Sequence, residues 1–399
     1  MRRMPASPPR YLWQQPGWPR LHFDFAAAGP ALLQARERKG IAQGMARAIG
    51  LERVDEVSQE LWMQEAMSTA AIEGESLDLA AVRSSVLRHL GGDSGGPVER
   101  HVDGLVEVIQ DATLNHAQPL DADRLCRWQS ALFPGGTAGI RRIAVGRFRD
   151  HADPMQIVSG RPGREVVHYT APPSAEVPRE MTAFLDWFAA TTPADGRPAA
   201  LDGIARAAIA HLWFETIHPF EDGNGRLGRA VADMALAQDS AAGAGAAPRL
   251  YSLSRQLLAA RADYYAALQQ AQSGGTDVTP FVEWFANAFA QACDAAGEVI
   301  QASLTRSRFW AAQAQRGTLN ERQRKLLQRL LLAGDGGFLG GLNVEKYLKM
   351  VDASKATATR DLSDLVRQGL LHTRGQGKAL RYYISVPGWT HGLDDDAAG

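Results

Sequence analysis

The segment FETIHPFEDGNGRLGRA, residues 214–230, gathers histidine, aspartate, glycine and arginine around one short turn. Its Gly-Asn-Gly centre permits positive φ angles, and the missing side chains let backbone N–H groups converge. We expect a helix to begin near Leu227, so the turn leads into a helix N-terminus. Because backbone donors at a helix start bind anions, the pattern predicts an anion site.

The side chains of this segment suit a polyphosphate that arrives with Mg²⁺. Arg226 and Arg229 can each bind phosphate oxygens through a bidentate guanidinium group. Asp222 offers the carboxylate oxygen that a hard cation prefers. His218 has an unperturbed pKa near neutrality and can accept a proton from a hydroxyl group. The alternative is a tight glycine turn with surface arginines and a structurally bonded histidine.

The pattern H-x-F-x-D-G-N-G-R-x-x-R, from His218 to Arg229, resembles the complete signature of the Fic family. Three further segments resemble the family's lead-in and next helix: GRFRD at 146–150, APP at 171–173 and VPREMTAFLDWF at 177–188. The resemblance implies that His218 is the general base, that Asp222 holds Mg²⁺ and that Phe220 anchors the loop. It implies a phosphate-binding set formed by Gly223, Asn224, Gly225, Arg226 and Arg229.

The reaction that the resemblance implies is attack of a Ser, Thr or Tyr hydroxyl on the α-phosphorus of ATP. The hydroxyl belongs to a target protein or to the chain itself, AMP stays on it, and pyrophosphate leaves. Relatives that transfer phosphate have Lys where this chain has Gly225, which argues against that variant. The segment 261–272 resembles a helix that meets the adenine, through Tyr264, Tyr265 and Gln272; packing of the two tyrosines within the helix is the alternative.

A β-hairpin is predicted within residues 146–173, with SGRPGR at 159–164 as its turn. In Fic proteins this hairpin is a flap. The edge of such a hairpin can pair with a strand of a target protein through backbone hydrogen bonds. The predicted docking residues are Val158, Val167, His168 and Tyr169.

The stretch TAAIEGE, residues 69–75, resembles the family's inhibitory pattern [ST]-x-x-x-E-[GN] through Thr69, Glu73 and Gly74. The resemblance implies that Glu73 pairs with Arg229 and restrains transfer. The alternative is a solvated glutamate at a helix end, followed by a glycine stop. The opening YLWQQPGWPRLHFDF, at 11–25, predicts an extended segment laid over the fold, and it resembles the small uncharacterised domain that often precedes Fic domains.

The last part of the chain differs in charge from the rest. Residues 316–386 contain 13 Lys and Arg against 6 Asp and Glu, a net of +7 in a chain whose formal net charge is -1. Three short helices followed by a hairpin predict a winged helix-turn-helix, with Ser354 capping its recognition helix. The predicted nucleic-acid contacts are Lys355, Thr357, Thr359, Arg360, Lys378 and Arg381. Protein contacts or dimerisation are an equal alternative.

Helical patterning dominates, so we predict a mainly α fold: a Fic-type helical core with a hairpin flap, an N-terminal helical regulatory segment and a winged helix. The expected domains are 1–110 with the inhibitory helix, 111–310 as the catalytic domain, 317–386 as the winged helix and 387–399 as a flexible tail. Residues 238–250 are predicted to be an unpacked connector. Two cysteines and the absence of a long apolar run favour a cytoplasmic protein without membrane contact.

We therefore expect an adenylyltransferase with ATP as substrate, Mg²⁺ as cofactor and a hydroxyl-bearing protein as target, and a homodimer or bound DNA are further possibilities. Two alternatives remain open. One is a DNA-binding regulator whose pocket only senses nucleotide. The other is an enzyme that mainly removes AMP, with Glu73 orienting water.

Overall fold

The computed structural model describes residues 10–49, 51–92, 95–159, 164, 166–193, 200–244, 249–314, 318–338 and 340–390. Two compact units divide the chain, Met1–Glu298 and Val299–Gly399. The described residues are mostly helical, which confirms the mainly α prediction. No helix among them is both long and apolar enough to cross a membrane.

The first unit opens with a 3₁₀ turn at Leu12–Gln14 that lies on the hairpin. Leu12 is fully buried, and the indole N–H of Trp13 donates to the backbone carbonyl of Thr170 at 2.9 Å. The opening segment therefore covers another element, as predicted, but the expectation that it is extended is wrong at residues 12–19, which form a 3₁₀ helix followed by turns. Three helices follow: α1 (Phe25–Ile49), α2 (Leu51–Ile72) and α3 (Leu79–His89).

Two helices and two small hairpins come next. The helices are α4 (Arg100–Leu114) and α5 (Ala122–Leu132). The first hairpin pairs β1 (Thr137–Ala138) with β2 (Arg141–Arg142), and the second pairs β3 (Gln156–Ser159) with β4 (Val166–Thr170). The second is the hairpin expected within 146–173, with a bulge between Ile157 and Val158. Its predicted turn includes residues 160–163, which lie outside the described residues.

The core of the first unit forms around α7 (Gly203–Ile217), in which every residue is buried. The sequence GIARAAIAHLWFETI has no polar stripe, as expected of a helix surrounded by protein. The carboxylate of Asp202 caps α7, accepting from the N–H groups of Ile204 and Ala205. Packed against α7 are α6 (Val177–Ala190) and α8 (Asn224–Ala244).

Three more helices complete the elements of this region: α9 (Leu253–Ala259), α10 (Arg261–Gln272) and α11 (Thr279–Ala314), the last of which contains the division between the units. The connector predicted at 238–250 is wrong in its first part, because α8 continues to Ala244. Gln238 is buried and bonded to Arg206 and to the carbonyl of His116. The alanines of this stretch are strong helix formers, which the small-residue argument overlooked. Residues 245–248 lie outside the described residues.

The second unit has the predicted order of three helices and a hairpin. The helices are α12 (Glu321–Ala333), α13 (Val344–Leu348) and α14 (Lys355–Arg367), and the hairpin pairs β5 (Leu371–Arg374) with β6 (Arg381–Ile384). The hydroxyl of Ser354 caps α14, accepting from the N–H of Thr357 at 3.2 Å. Leu326, Leu362 and Tyr347 lie in a separate core. Residues 391–399 of the predicted tail lie outside the described residues.

Candidate active site

His218 stands at the C-terminal end of α7 with φ 51° and ψ 61°, in the left-handed region. Arg149, 2% exposed, holds this turn: its guanidinium donates to the carbonyls of His218 at 2.7 Å and Ile217 at 3.1 Å. It also donates to the carbonyl of Pro172 and the hydroxyl of Ser174. Arg149 was not predicted as a site residue, although it lies in the quoted GRFRD segment. Its spacing from His218 gives no local signal, since the contact spans 69 residues.

The loop after His218 is closed internally by Phe220 and Asn224. The ring of Phe220 is fully buried, with its centroid 5.3 Å from that of Phe148, in keeping with the predicted anchor. The side chain of Asn224 accepts from the N–H of Phe220 at 2.9 Å and donates to its carbonyl at 2.8 Å. The amide of Asn224 thus makes two hydrogen bonds that close the loop, and its second side-chain N–H and its backbone N–H at the start of α8 are further donors. Phosphate binding by Asn224 stays a prediction.

The two glycines of the turn are required by shape. Gly223 has φ 88°, and a Cβ there would lie 2.9 Å from the ring of Phe133. A Cβ on Gly225 would lie 2.3 Å from Oε1 of Glu73. The carboxylate of Glu73 thus lies directly against the start of α8.

Arg229 is 2% exposed and is held by the end of α2. One guanidinium nitrogen donates to Glu73 Oε1 at 2.7 Å and to the carbonyl of Thr69 at 3.1 Å, and Nε donates to the hydroxyl of Thr69 at 2.8 Å. Gly74 follows with φ 81°, which turns the chain away from the helix. The structure therefore brings together Thr69, Glu73 and Arg229, as the motif implied.

Glu75 forms a second ion pair that the sequence analysis missed. Arg226 Nη1 lies 3.1 Å and 3.2 Å from its two carboxylate oxygens, and the guanidinium lies over the ring of Phe133 at 4.9 Å. The side chain of Arg226 is 6% exposed and that of Glu75 is 44% exposed. Both arginines of the motif are thus paired with acidic residues of the same stretch. The stretch TAAIEGE contains this second glutamate two residues after Glu73, and its proximity to the inhibitory pattern was the sequence signal for the second ion pair.

The carboxylates and the imidazole of the site have shifted pKa values. Burial acts to raise the pKa of Glu73, but the charge and hydrogen bond of Arg229 outweigh it, and the net pKa is lowered. Burial lowers the pKa of His218 to about 4, assisted by the charge of Arg149. The imidazole is therefore neutral near pH 7 and able to accept a proton.

Asp222 has a carboxylate that is 37% exposed on its side chain, with Oδ1 accepting from the N–H of Gly223 at 2.7 Å and lying 3.7 Å from Arg226 Nη2. Among the described residues, no group of three or more His, Cys, Asp or Glu is placed to hold a metal. A single accessible carboxylate fits Mg²⁺, which commonly takes one or two carboxylates and completes its shell with substrate phosphates and water.

A cavity of about 630 Å³ lies beside His218, within the usual size for a small-molecule site. Glu73, Gly225 and Arg229 form part of its wall. Tyr265, 44% exposed, lines it and suits a stacking surface for a base. Tyr264 also lines it but is buried, its hydroxyl 2.9 Å from Nε2 of His211, so helix packing accounts for its position.

Gln272 is likewise buried, and its Nε2 donates to the carbonyl of Glu215 at 3.1 Å. That amide nitrogen is therefore engaged with the end of α7. Of the three predicted adenine residues, Tyr265 has the accessible side chain that base binding needs.

The flap residues divide between the surface and the interior. Val158 is 48% exposed, Val167 and His168 are half-buried, and Tyr169 is buried at 2%. The hydroxyl of Tyr169 donates to the carbonyl of Thr216 at 2.7 Å, so its side chain faces the interior, and docking through the backbone of this strand stays a prediction. Burial follows because Tyr169 packs on Tyr11 of the opening segment. Val166, 58% exposed and not predicted, lies with Val158 on the outer part of the hairpin.

The predicted nucleic-acid residues lie in the second unit. Lys355, Thr359 and Arg360 are exposed on α14, Thr357 is half-buried, and Lys378 is exposed beside the hairpin. Arg381 is half-buried, and its guanidinium donates to the backbone carbonyls of Gly340, Lys378 and Leu380, which holds the loop. Its contact with nucleic acid stays a prediction.

Comparison with known proteins agrees with the motif. Residues 119–236 match the model of the Fic/DOC family. Residues 11–91 match DUF4172, a domain of unknown function. The segment with the His-to-Arg loop is therefore a Fic/DOC domain. The chain therefore contains a Fic/DOC domain at residues 119–236, which confirms the resemblance of this part of the chain to the Fic family.

Two curated relatives and one solved structure illustrate the likeness. The protein adenylyltransferase Fic of Nematostella vectensis is 26% identical over 242 residues, 59% of this chain and 49% of that protein. The protein adenylyltransferase fic-1 of Caenorhabditis briggsae is 30% identical over 220 residues, 55% of this chain and 38% of that protein. The match thus spans less than half the length of these relatives. The structure of a Fic family protein from Desulfovibrio desulfuricans G20 aligns over 90% of this chain and 97% of its own, with 20% identity and a TM-score of 0.47.

Proposed function

We propose that this protein is an adenylyltransferase that moves AMP from ATP to a hydroxyl group of a protein, and that Glu73 restrains it. The observation that carries the proposal is the convergence of His218, Arg229 and Glu73 on one cavity at the start of α8. The curated relatives named as protein adenylyltransferases support the reaction class.

The start of α8 serves as the phosphate site. Gly223 and Gly225 leave its first backbone N–H groups uncovered by side chains of their own, and Arg226 and Arg229 lie in the first and second turns of α8. A helix N-terminus combined with two guanidinium groups suits a triphosphate. Asp222 would hold Mg²⁺, which neutralises phosphate charge when it is bound.

Proton transfer is the task of His218. The oxygen of the target hydroxyl attacks the α-phosphorus, and its proton passes to the neutral imidazole. The bond between the α-phosphorus and the bridging oxygen breaks, and pyrophosphate leaves with the electron pair. The lowered pKa of His218 keeps the ring free to accept the proton at neutral pH.

Self-inhibition follows from competition for Arg229. The carboxylate of Glu73 lies where an outer phosphate would be bound, and it already neutralises the guanidinium. Glu75 makes a comparable contact with Arg226, and we include it in the inhibitory segment 69–75. ATP that binds under these conditions has its outer phosphates displaced and its α-phosphorus misaligned.

The domain boundaries predicted from the sequence form part of this proposal. An N-terminal regulatory domain at 1–110 would supply Glu73, and the range 111–310 would hold the catalytic loop. The range 317–386 has an excess of positive charge, with Lys355, Thr359 and Arg360 exposed. This favours nucleic-acid binding as a second function of the chain.

Incubation with ATP labelled at the α-phosphorus, or separately at the γ-phosphorus, tests the proposal. We expect α-label but no γ-label on the protein or on a lysate target. His218→Ala should abolish labelling while ATP still binds. His151→Ala, which changes a histidine on a loop remote in sequence from the motif, serves as the matched control.

Three other outcomes would redirect the proposal. Label from γ-labelled ATP would indicate phosphate transfer. Nucleotide binding without any labelling, even after Glu73 is replaced, would favour a sensor. Release of AMP from a pre-labelled target by the unmodified chain would favour the reverse reaction.

A further inference from the structure

A buried carboxyl group that the proposed reaction does not use lies behind the imidazole of His218. Glu215 occupies the last turn of α7 and is 5% exposed. Its Oε2 lies 3.7 Å from Nδ1 of His218. Both side chains line the cavity that also contains Glu73 and Arg229.

The surrounding helices leave a specific space for this carboxyl group. A Cβ on Gly228 of α8 would lie 2.3 Å from Oε1 of Glu215, so a larger residue there would displace it. From α10, the amide of Gln272 donates to the backbone carbonyl of Glu215 and holds the turn. The position of the carboxyl group is thus set by two neighbouring helices.

Within the described residues, Nδ1 of His218 has no well-aligned hydrogen bond, and its nearby acceptors are the backbone carbonyl and Oε2 of Glu215. The other carboxyl oxygen of Glu215, Oε1, also lacks a partner and faces Gly228. Buried polar atoms are normally bonded, and catalytic hydrogen bonds are often long before the substrate complex forms. A movement of less than about 1 Å would bring Nδ1 and Oε2 to a normal bonding distance.

We propose that Glu215 is the positioning residue of His218: its carboxyl group accepts Nδ1–H, so that Nε2 stays unprotonated and faces the cavity. The target proton then passes to Nε2, Nδ1 keeps its own proton, and the carboxylate stabilises the resulting imidazolium. The effect on catalysis rests on the proposed function, whereas the predicted tautomer of His218 is independent of that function.

The titratable groups that face Glu215 come from five elements: His211 and His218 from α7 and its end, Arg229 from α8, Glu73 from the segment after α2, Tyr264 from α10 and Tyr169 from β4. Of these, Arg229 and Glu73 carry the charges that set its ionisation. Burial raises the pKa of Glu215 to about 8, Arg229 lowers it and Glu73 raises it. Departure of Glu73 therefore favours the carboxylate, which couples release of the inhibitory segment to a stronger base.

The tautomer of His218 is measured by ¹⁵N NMR on the full chain labelled at histidine. The chain has 10 histidines, and His218→Ala identifies the signal. We expect the Nδ1–H tautomer in the unmodified chain and in Glu215→Gln, whose amide oxygen accepts the same bond. Glu215→Leu should shift the population towards Nε2–H. The control Glu221→Gln changes a half-buried carboxyl of the same loop that accepts from the N–H of Ala144, and it should leave the tautomer unchanged.

Transfer rates in the Glu73→Gly background provide the second readout. Glu215→Leu should lower kcat at least roughly tenfold and leave KM for ATP within about twofold, because positioning acts on the proton transfer rather than on nucleotide binding. With Glu215 present, kcat should rise further with increasing pH as the carboxyl group ionises, because burial raises its pKa into the range above neutrality. Glu215→Gln should lack this rise.

The two readouts separate this proposal from the proposed function. If the tautomer follows the prediction but no variant transfers AMP, the positioning role stands and the transferase is wrong. If Glu215→Leu folds, as its thermal midpoint would show, and leaves the His218 tautomer unchanged, the positioning role is wrong whatever the activity. An unaltered pH profile in Glu215→Gln overturns the stabilisation of the imidazolium.

Discussion

Replacing Glu73 with glycine removes the carboxylate that holds Arg229, and we expect transfer of AMP to accelerate. Arg229 makes three contacts with the end of α2: one with Glu73 and two with Thr69. The substitution removes the charged contact and leaves Thr69 in place. It also clears the space against Gly225, where the carboxylate lies at the helix start.

The size of the effect follows from the geometry of the α-phosphorus. A displacement of about 1 Å from the reactive position can cost roughly a hundredfold in rate. Because Arg229 is buried and Glu73 contacts it at 2.7 Å, the γ-phosphate cannot take the same position while the pair persists. We therefore expect an increase of roughly 10-fold to 100-fold, which corresponds to about 1.4–2.7 kcal/mol of barrier.

The assay is incorporation of α-labelled ATP at saturating ATP and Mg²⁺, on the chain itself and on lysate proteins. Glu73→Gln is the matched control for charge, because it fills the same space and keeps a weaker contact with Arg229. We expect its rate to lie between those of the unmodified chain and Glu73→Gly. Arg229→Ala in the Glu73→Gly background should cancel the gain, since the released group is then absent.

If Glu73→Gly labels no faster than the unmodified chain, competition for Arg229 does not limit transfer. If Glu73→Gln equals Glu73→Gly, charge alone accounts for the restraint and the occupied space contributes little. A gain that survives Arg229→Ala would place the restraint on another group.

Three further outcomes are expected. Glu75→Gln in the Glu73→Gly background should raise transfer by up to about fivefold, since the pair with Arg226 is half-exposed and such pairs contribute about 0.2–1 kcal/mol; no change would exclude Glu75 from the inhibitory segment. Asn224→Ala should lower the thermal midpoint of the first unit by about 3 °C, because two buried hydrogen bonds of about 1 kcal/mol each are lost; an unchanged midpoint in calorimetry would contradict the closed loop. The double variant Lys355→Glu, Arg360→Glu of the full chain should weaken binding to duplex DNA and reduce the slope of log affinity against log salt by about two; fluorescence anisotropy that shows the same slope would exclude α14 as the contact.

The motif residues were predictable because their chemistry lies within twelve consecutive positions. His218, Gly223 and Arg229 belong to one turn and the first turns of the helix that follows, so local spacing carries most of the geometry. The pair between Glu73 and Arg229 spans 156 residues, and only a second recognisable pattern made it predictable.

The sequence is less informative where tertiary packing decides the role of a side chain. The strand VVHYT shows no regular alternation of apolar and polar residues, so the sequence does not indicate whether Tyr169 faces the interior or the solvent. Its burial depends on packing against Tyr11 of the opening segment. Asn224 has the residue type of a phosphate ligand, yet the loop needs its amide to bond Phe220. Arg149 and Glu215 lie outside the motif from His218 to Arg229, so no short sequence pattern marks them. Arg149 reaches the His218 turn only through the fold, and Glu215 precedes the motif by three residues.

Acidification is not expected to activate the enzyme by opening the inhibitory pair. The pKa of Glu73 is lowered in the folded chain, so the stabilising contribution of its pair is present above the usual pKa of a glutamate and is lost only as pH falls through the lowered value. The pKa of His218 is about 4, so the base is itself protonated in the same acidic range. The pH that would free Arg229 would therefore also remove the proton acceptor. Transfer by the unmodified chain should rise from pH 4 to pH 7 without a maximum on the acidic side, and such a maximum in the labelling rate would contradict the assigned pKa order. Under the proposed self-inhibition, release is then expected from a contact that moves residues 69–75, where Thr69, Glu73 and Glu75 hold Arg226 and Arg229.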